Sequence, residues 1–454
     1  MASSHCLLVT VALILVVFIG TTIEASSVRN QGPAFGPRIT PPYPQALLND
    51  LDGVFRVSLD DGTTLFENET GYLNIPFAAP MTSSSRFMIG SNSKLYTTVA
   101  LYQLQEQGKF RMTDSVASLF NAQDFINFGL ANQTQWCPTL PGKSGCQVIT
   151  VRQLLSMSSG IYPALNCRVY PYTECREDVF FVNPGSIGLV VGTFLNSPLI
   201  FAPGTEYQYS NPNFIIGAYL VEKFSNMTFQ AYLDAHIFQP AGLQNTYFDA
   251  YNGQLGQIDL NRTYEYFKFY DNTTFERIGY GPVTLELDTG AVSGTGGIIS
   301  TPHDEALFYR VLFNKTSKGA PLLRDPASQA AILSAQNFMG TTPFNNSLLY
   351  SYYSQGVIVM CSTEQCASGS PDFIEYEGGM IGSTTANLYD YRAGRGGLIS
   401  QAWTSSKQYI VSECSLNAVR AMQVGNVIGF LGDWAQGAPD PNNLMWLNFF
   451  AFTR

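Results

Sequence analysis

A serine and a lysine three positions apart are the first residues of this chain that could do chemistry together. They are Ser91 and Lys94, in IGSNSKLYTT (Ile89 to Thr98). Residues three apart on a helix share a face. A lysine so placed can accept the serine's proton once burial lowers its pKa, leaving an oxygen nucleophile for an acyl carbonyl. A helix amino terminus adds unpaired N–H groups and a dipole that favours developing negative charge. The same residues also suit an ordinary helix start, because Ser and Asn are common caps. A second candidate lies in YQYSNPNF, where Tyr209-Ser210-Asn211 precedes a helical pattern. A phenol beside a lysine can shuttle a proton, and an amide side chain can hold a substrate carbonyl or amide. Tyr72-Leu73-Asn74 and Tyr270-Asp271-Asn272 repeat that Tyr-x-Asn triplet, so the triplet alone does not choose among them.

The elements that must position these groups follow from pattern. Val54 to Leu59, Asp60-Asp61-Gly62, then Thr63 to Phe66 reads as a β-hairpin, since Asp-Gly takes the positive φ of a tight turn. After Lys94, residues Leu95, Val99, Leu101, Tyr102 and Leu104 form a helical apolar face, with Gly108 as a stop. Ile149 to Gly160 reads as a short helix, Pro212 to His236 as helical throughout, and Thr301 to Leu312 as a helix with Pro302 in its first turn. GVIVMC, TTANLYDY, GGLISQAWT and KQYIVSEC then read as strands, and Ala418 to Trp434 as a closing helix. The order is hairpin, helices, strands, helix. It fits a mixed sheet covered by the last helix, with a helical cluster inserted between its strands.

Several phrases, taken in order, resemble the serine β-lactamase and penicillin-binding protein superfamily, in the branch of class C β-lactamases, D-aminopeptidases and β-lactamase-fold esterases. RFMIGSNSK is similar to the nucleophile phrase of that branch. ITVRQLLSMSSGI, FAPGTEYQYSNPNF, FQPAGLQNTYF and GTGGIISTPHDEALF resemble four later phrases, and the likeness runs from about residue 50 to 430. The resemblance implies an α/β (α+β) fold of β-lactamase/transpeptidase type: a mixed, mainly antiparallel sheet flanked by helices, with an inserted helical subdomain. It implies Ser91 as the acylated nucleophile, Lys94 as its base, Tyr209 as the proton relay to the leaving group and Asn211 as a substrate contact. Tyr209 is preferred to Tyr72 and Tyr270 because it alone sits inside the matching phrase.

The third motif departs from the family. Where the family carries Lys/His-Thr/Ser-Gly on a strand lining the site, aligning the glycines of IEYEGGMIGST gives Tyr376-Glu377-Gly378, followed by Gly379. The resemblance makes Tyr376, Glu377 and Gly378 substrate-binding positions, and the N–H groups of Ser91 and Gly379 the oxyanion hole. Lys143-Ser144-Gly145 spells the motif outright, but it lies between two cysteines in a Pro/Gly-rich loop with no strand pattern. Replacing a cation and a hydroxyl by Tyr and Glu disfavours a substrate carboxylate by roughly a few kcal/mol in a partly buried site. β-Lactams and D-Ala-D-Ala ends are therefore disfavoured, while neutral esters and substrates with a free amine remain open.

Bulk features set the compartment and exclude other functions. Leu7 to Ile19 is a 13-residue apolar run followed by small residues, which suits a signal peptide cut near Ala25. The expected division is signal 1–25, an extended Pro/Gly/Ser-rich leader 26–45, a catalytic domain 46–437 and a tail 438–454, leaving no stable membrane span after cleavage. Secretion, or an endomembrane lumen, also suits the cysteines. Cys137 with Cys146, Cys167 with Cys175 and Cys361 with Cys366 are candidate disulfides, Cys414 is left over, and sequence leaves the connectivity open. Seven Asn-x-Ser/Thr sequons, at Asn68, Asn132, Asn226, Asn261, Asn272, Asn314 and Asn345, suit a glycoprotein. A net charge of −10 with no basic run argues against nucleic acid. Outside the signal only His236 and His303 remain, too few for a metal site, and no Gly-x-Ser-x-Gly elbow occurs. Trp136, Trp403, Trp434 and Trp446 read most simply as core. No cofactor is called for, and the expected partner is a small-molecule, ester or peptide substrate. The expectation is thus a secreted serine hydrolase working through an acyl-enzyme on Ser91, on esters or D-amino-acid amides and peptides before β-lactams. The competing reading is a catalytically inactive β-lactamase-like binding or structural glycoprotein.

Overall fold

The computed structural model describes residues 52–164, 185–248, 261–263, 266–270, 277–282, 292–313, 321–344, 347–366, 369–380, 383–392 and 397–403. The expected signal peptide, leader, KQYIVSEC strand, closing helix and tail, with Cys167, Cys175 and Cys414, all lie outside these residues.

Strands β1 (Gly53–Leu59) and β2 (Thr64–Thr70) form the expected hairpin. Its turn carries Gly62 at a φ of 91°, and the Asp61 carboxylate accepts the Thr63 N–H at 2.7 Å. Six more strands come from the other end of the described chain: β3 (Asn337–Phe344), β4 (Ser347–Tyr353), β5 (Ile358–Cys361), β6 (Phe373–Met380), β7 (Ser383–Asp390) and β8 (Gly397–Trp403). Together they make an eight-stranded sheet in the order β3-β4-β5-β6-β7-β8-β1-β2, antiparallel at every pairing. The hairpin therefore zips onto β8, and everything between β2 and β3 is an insertion carrying most of the helices.

Helix α1 (Ser93–Glu106) is buried on nearly every side, not on one face alone. Burial of Leu95, Val99, Leu101 and Leu104 contributes about 1.5–3 kcal/mol each, enough to carry polar neighbours inward. The inward hydroxyl of Thr97 is satisfied by the Gly294 carbonyl at 2.7 Å. On the helical side α1 meets α3 (Pro212–Ser225) at Gly217, where a Cβ would sit 3.3 Å from both Leu101 and Thr97.

Two helices differ from the sequence reading. Helix α2 (Val151–Leu155) starts on a Thr150/Gln153 capping box but ends well before Gly160, because Met157 takes a φ of 58° that no helix continues through. The pattern from Pro212 to His236 is divided: Asn226 closes α3 in the left-handed region, and Thr228 caps a new turn over Phe229–Leu233. Helix α4 (Pro302–Phe313) opens on its proline as expected. A small antiparallel ladder sets Phe87–Met88 beside Ile298–Ser300, with Tyr247–Phe248 on the far side. It brings the approach to Ser91 alongside the segment that follows Thr295.

Two of the three expected cysteine pairs are disulfides, Cys137 with Cys146 and Cys361 with Cys366. Asn132, Asn226 and Asn261 are exposed. Among the described residues no helix is long and apolar enough to cross a membrane.

Candidate active site

Ser91 occupies a 3₁₀ turn, Gly90–Asn92, between the Phe87–Met88 strand and α1. Such a turn eclipses side chains three apart, which brings Ser91 over Lys94. Gly90 is required there. Its φ is 52°, and a Cβ would come within 2.8 Å of Gly379 N. No side-chain cap closes either the turn or α1, so the ordinary helix-start reading of Ser91 and Asn92 does not describe them. Lys94 is 0% exposed, and its Nζ donates to Ser91 Oγ and to the Thr295 carbonyl, each at 2.9 Å. The Tyr209 and Phe214 rings lie 4.8 Å and 5.7 Å from the same nitrogen. Burial pushes the Lys94 ammonium well below the usual lysine value.

Tyr209 completes the group. Its hydroxyl shares a 2.6 Å hydrogen bond with Ser91 Oγ. Burial pushes its pKa up to about 12, against the opposing pull of its hydrogen bonds with Ser91 and Tyr376, so the phenol keeps its proton at neutral pH. Asn211 stands at the amino end of α3, where its side-chain oxygen accepts from Thr295 Oγ1. Thr295 thus holds Lys94 through its carbonyl and Asn211 through its hydroxyl. Sequence reasoning did not single it out, although it lies in the quoted GTGGIIST phrase. Tyr72 is 42% exposed in a short strand, and Tyr270 ends a separate strand, Tyr266–Tyr270.

Strand β6 brings the third motif against the nucleophile turn. A Cβ on Gly378 would fall 1.9 Å from the Ile89 carbonyl oxygen, so only glycine fits this contact. The two-residue period puts Tyr376 on the same sheet face as Gly378, and Glu375 and Glu377 on the other. Tyr376 is buried, and its hydroxyl meets that of Tyr353 at 2.7 Å. Tyr353, a second residue missed from sequence, also packs edge-on against the Tyr209 ring at 6.4 Å. Burial drives the pKa values of Tyr353 and Tyr376 well up, so both stay neutral. Burial and the Glu377 charge push the Glu375 carboxyl well up. The β5–β6 register runs only from Met360 opposite Phe373 to Ile358 opposite Glu375. The edge of β6 from Tyr376 to Gly379 therefore extends past β5, beside Ser91.

The other candidates stand elsewhere. Lys143-Ser144-Gly145 is an exposed loop inside the Cys137–Cys146 disulfide. His303 is half exposed at the start of α4, with Nδ1 3.3 Å from Asp304 Oδ1, and His236 is exposed against Tyr232. Trp136 is core, its indole N–H donating to the Leu195 carbonyl at 2.8 Å. Among the described residues no group of His, Cys, Asp and Glu could hold a metal ion.

Known proteins share this arrangement of elements. The chain is 24% identical over 215 residues to penicillin-binding protein 4* of Bacillus subtilis, covering 47% of this chain and 41% of that protein. It is 22% identical over 203 residues to protein flp of Staphylococcus aureus, covering 44% and 36%. The chain thus spans less than half the length of these relatives. Among solved structures, a penicillin-binding protein from Bacillus halodurans superposes with a TM-score of 0.60 at 20% identity, over 80% of this chain and 94% of that one. A D-stereospecific amidohydrolase from Streptomyces sp. gives 0.57 at 19% identity, over 84% and 96%. The D-amino acid amidase of Ochrobactrum anthropi gives 0.58 at 16% identity, over 83% and 95%. These structures share the β-lactamase/transpeptidase-like fold expected from sequence. The family model described as Beta-lactamase matches residues 46–401, and the chain belongs to that family, within the serine β-lactamase and penicillin-binding protein superfamily.

Proposed function

We propose that this chain is a secreted serine hydrolase that acts through an acyl-enzyme on Ser91. The observation that carries this reading is the continuous contact of Lys94 Nζ, Ser91 Oγ and Tyr209 OH, at 2.9 Å and 2.6 Å, around a lysine stripped of solvent. Neutral Lys94 takes the Ser91 proton as Oγ bonds to the acyl carbon. The N–H groups of Ser91 and Gly379 stabilise the oxyanion. The leaving group departs with a proton delivered through Tyr209, and water later releases the acyl group by the reverse proton route. Asn211, held by Thr295, contacts the substrate, which lies along the edge of β6.

The substrate is a neutral ester or a D-amino-acid amide or peptide in preference to a β-lactam. Tyr376 puts a neutral phenol where the family places a cation, and Glu377 adds a carboxylate to the same strand. Likeness in fold to the amidohydrolase and the amidase named above, and to a structure titled "EstCE1, a hydrolase with promiscuous acyltransferase activity", supports this choice. Secretion is supported by the Leu7–Ile19 run, the two disulfides and the exposed sequons. The altered third motif also favours a second reading, a non-catalytic binding glycoprotein. A panel of p-nitrophenyl esters, D- and L-amino-acid amides and β-lactams, run beside Ser91→Ala, separates the two. Turnover lost in the variant supports the hydrolase; no turnover across the panel supports the binding protein.

A further inference from the structure

A buried carboxylate lies behind the nucleophile turn, outside the catalytic group. Glu305, in α4, is 3% exposed. Its Oε1 accepts the Tyr96 hydroxyl of α1 at 2.6 Å, and its Oε2 accepts Nδ2 of Asn387 in β7 at 2.8 Å. The same Asn387 Nδ2 lies 3.0 Å from the Asn92 side chain, and the other end of the Asn92 amide lies 2.7 Å from Thr385 Oγ1. Thr385 in turn donates to the Ile89 carbonyl at 3.0 Å, the oxygen that Gly378 packs against. Asn92 is the residue after Ser91. One carboxylate thus connects α1, α4, β7 and the turn that presents the nucleophile.

We propose that Glu305 is a positioning residue for the Ser91 chemistry: its carboxylate, acting through Tyr96 on one side and the Asn387 and Asn92 amides on the other, holds the nucleophile turn in register with the strand that carries Gly378 and Gly379. This rests on the hydrolase reading above.

The two amides make the network sensitive to a proton. With Glu305 ionised, Asn387 gives its NH₂ to the carboxylate and Asn92 gives its NH₂ to Thr385 and the Ile89 carbonyl. Asn387 Oδ1 is then buried without a partner. A protonated Glu305 is a donor and needs an oxygen from Asn387, which turns that amide over. The Asn92 amide then turns as well, its oxygen meeting Gly378 N–H at 3.3 Å and its NH₂ meeting the Tyr376 carbonyl at 3.3 Å. Gly379, whose N–H is assigned to the oxyanion, is the next residue along. The two protonation states thus differ at the oxyanion strand. Beside this network Ser91 Oγ lies 2.9 Å from Lys94 Nζ and 2.6 Å from Tyr209 OH, and we assign that reactive arrangement to the ionised form. Burial raises the Glu305 pKa to about 7, opposed by hydrogen bonds from Tyr96, Asn387 and Ser300 and assisted by the Asp304 charge. The Tyr309 phenol, also on α4, lies beside the same carboxylate and the Asn387 amide and stays neutral.

The test is the rate constant for fluorophosphonate labelling of Ser91 from pH 5 to 9, in wild type, Glu305→Gln and Tyr96→Phe. Glu305→Gln, which is neutral at every pH, should label about tenfold more slowly at pH 8 and lose the inflection near pH 7, leaving the Lys94 limb in place. Tyr96→Phe removes a donor that favours the charged form, so its inflection should move to higher pH; it also covers the case in which Glu305→Gln fails to fold. A folded Glu305→Gln with the wild-type rate and profile overturns the proposal. The side-chain amide signals of Asn92, read by ¹⁵N NMR, give a measure that needs no reactive serine. They should titrate near pH 7 in wild type and stay flat in Glu305→Gln. If wild type does not label at all, the hydrolase reading fails while titrating Asn92 signals still support the network. Asn92 signals that are flat in wild type overturn it.

Discussion

Lys94 Nζ stands 2.9 Å from Ser91 Oγ and 2.9 Å from the Thr295 carbonyl, in the first turn of a buried helix with no solvent around the lysine side chain. Burial drives the ammonium toward its neutral form. The folded lysine therefore loses its proton at a lower pH than a free lysine does. Ser91 reactivity should rise with pH through that depressed value and reach its plateau well below pH 10. Lys94→Met should lower kcat/KM about 10²–10⁴-fold, the usual weight of a general base. A pH–rate profile of wild type beside this variant checks both.

Tyr209 should matter in proportion to how badly the leaving group needs a proton. Its pKa of about 12 makes it a proton carrier and not a standing phenolate at neutral pH. Tyr209→Phe should cost about 10²-fold or more on amide substrates, within the usual range for proton transfer. The loss should be much smaller on p-nitrophenyl esters, whose leaving group departs unprotonated. Equal losses on both would argue that Tyr209 only shapes the pocket.

The identity of the third motif should set substrate charge. Tyr376→Lys combined with Glu377→Thr restores a cation on the face of β6 that carries Gly378 and removes a carboxylate from the other face. In a partly buried site that change is worth a few kcal/mol toward a carboxylate. Selectivity for a carboxylate-bearing substrate over its neutral amide, measured as a ratio of kcat/KM values, should rise about tenfold or more.

Gly378 tests the packing between β6 and the nucleophile turn. An alanine Cβ there would lie 1.9 Å from the Ile89 carbonyl. The backbone must shift, at a cost of about 1–3 kcal/mol. Chemical denaturation should register that loss, and the labelling rate of Ser91 should fall with it.

Much of this was legible in the sequence because it is local. The Asp-Gly hairpin, the Ser91–Lys94 spacing and the start of α4 at Pro302 each rest on a few neighbouring residues, and each is found where the pattern put it. The parts that sequence reasoning missed are those made by long-range contact. Thr295 matters through its carbonyl, an atom common to all residues, 201 positions from Lys94. Tyr353 meets Tyr376 only because β4 and β6 share a sheet. Met157 ends α2 by adopting a positive φ that no propensity announces.

Stability should carry the mark of Glu305. Its folded pKa of about 7 lies above the 4.5 of an ordinary glutamate, so the folded state holds a proton that the unfolded state has released across that interval. Stability from this group therefore falls as pH rises from 4.5 to 7, by about 3 kcal/mol in all. Glu305→Gln removes that slope. The thermal midpoint of wild type relative to the variant should rise as the pH is lowered from 8 to 4.

Whether Ser91 is an activated nucleophile is read by labelling the purified protein with a fluorophosphonate, mapped by mass spectrometry, beside Ser91→Ala. A single adduct on Ser91 is expected, absent from the variant and slowed in Lys94→Met. A folded protein that takes no label between pH 5 and 10 would contradict the hydrolase reading and leave the non-catalytic reading standing.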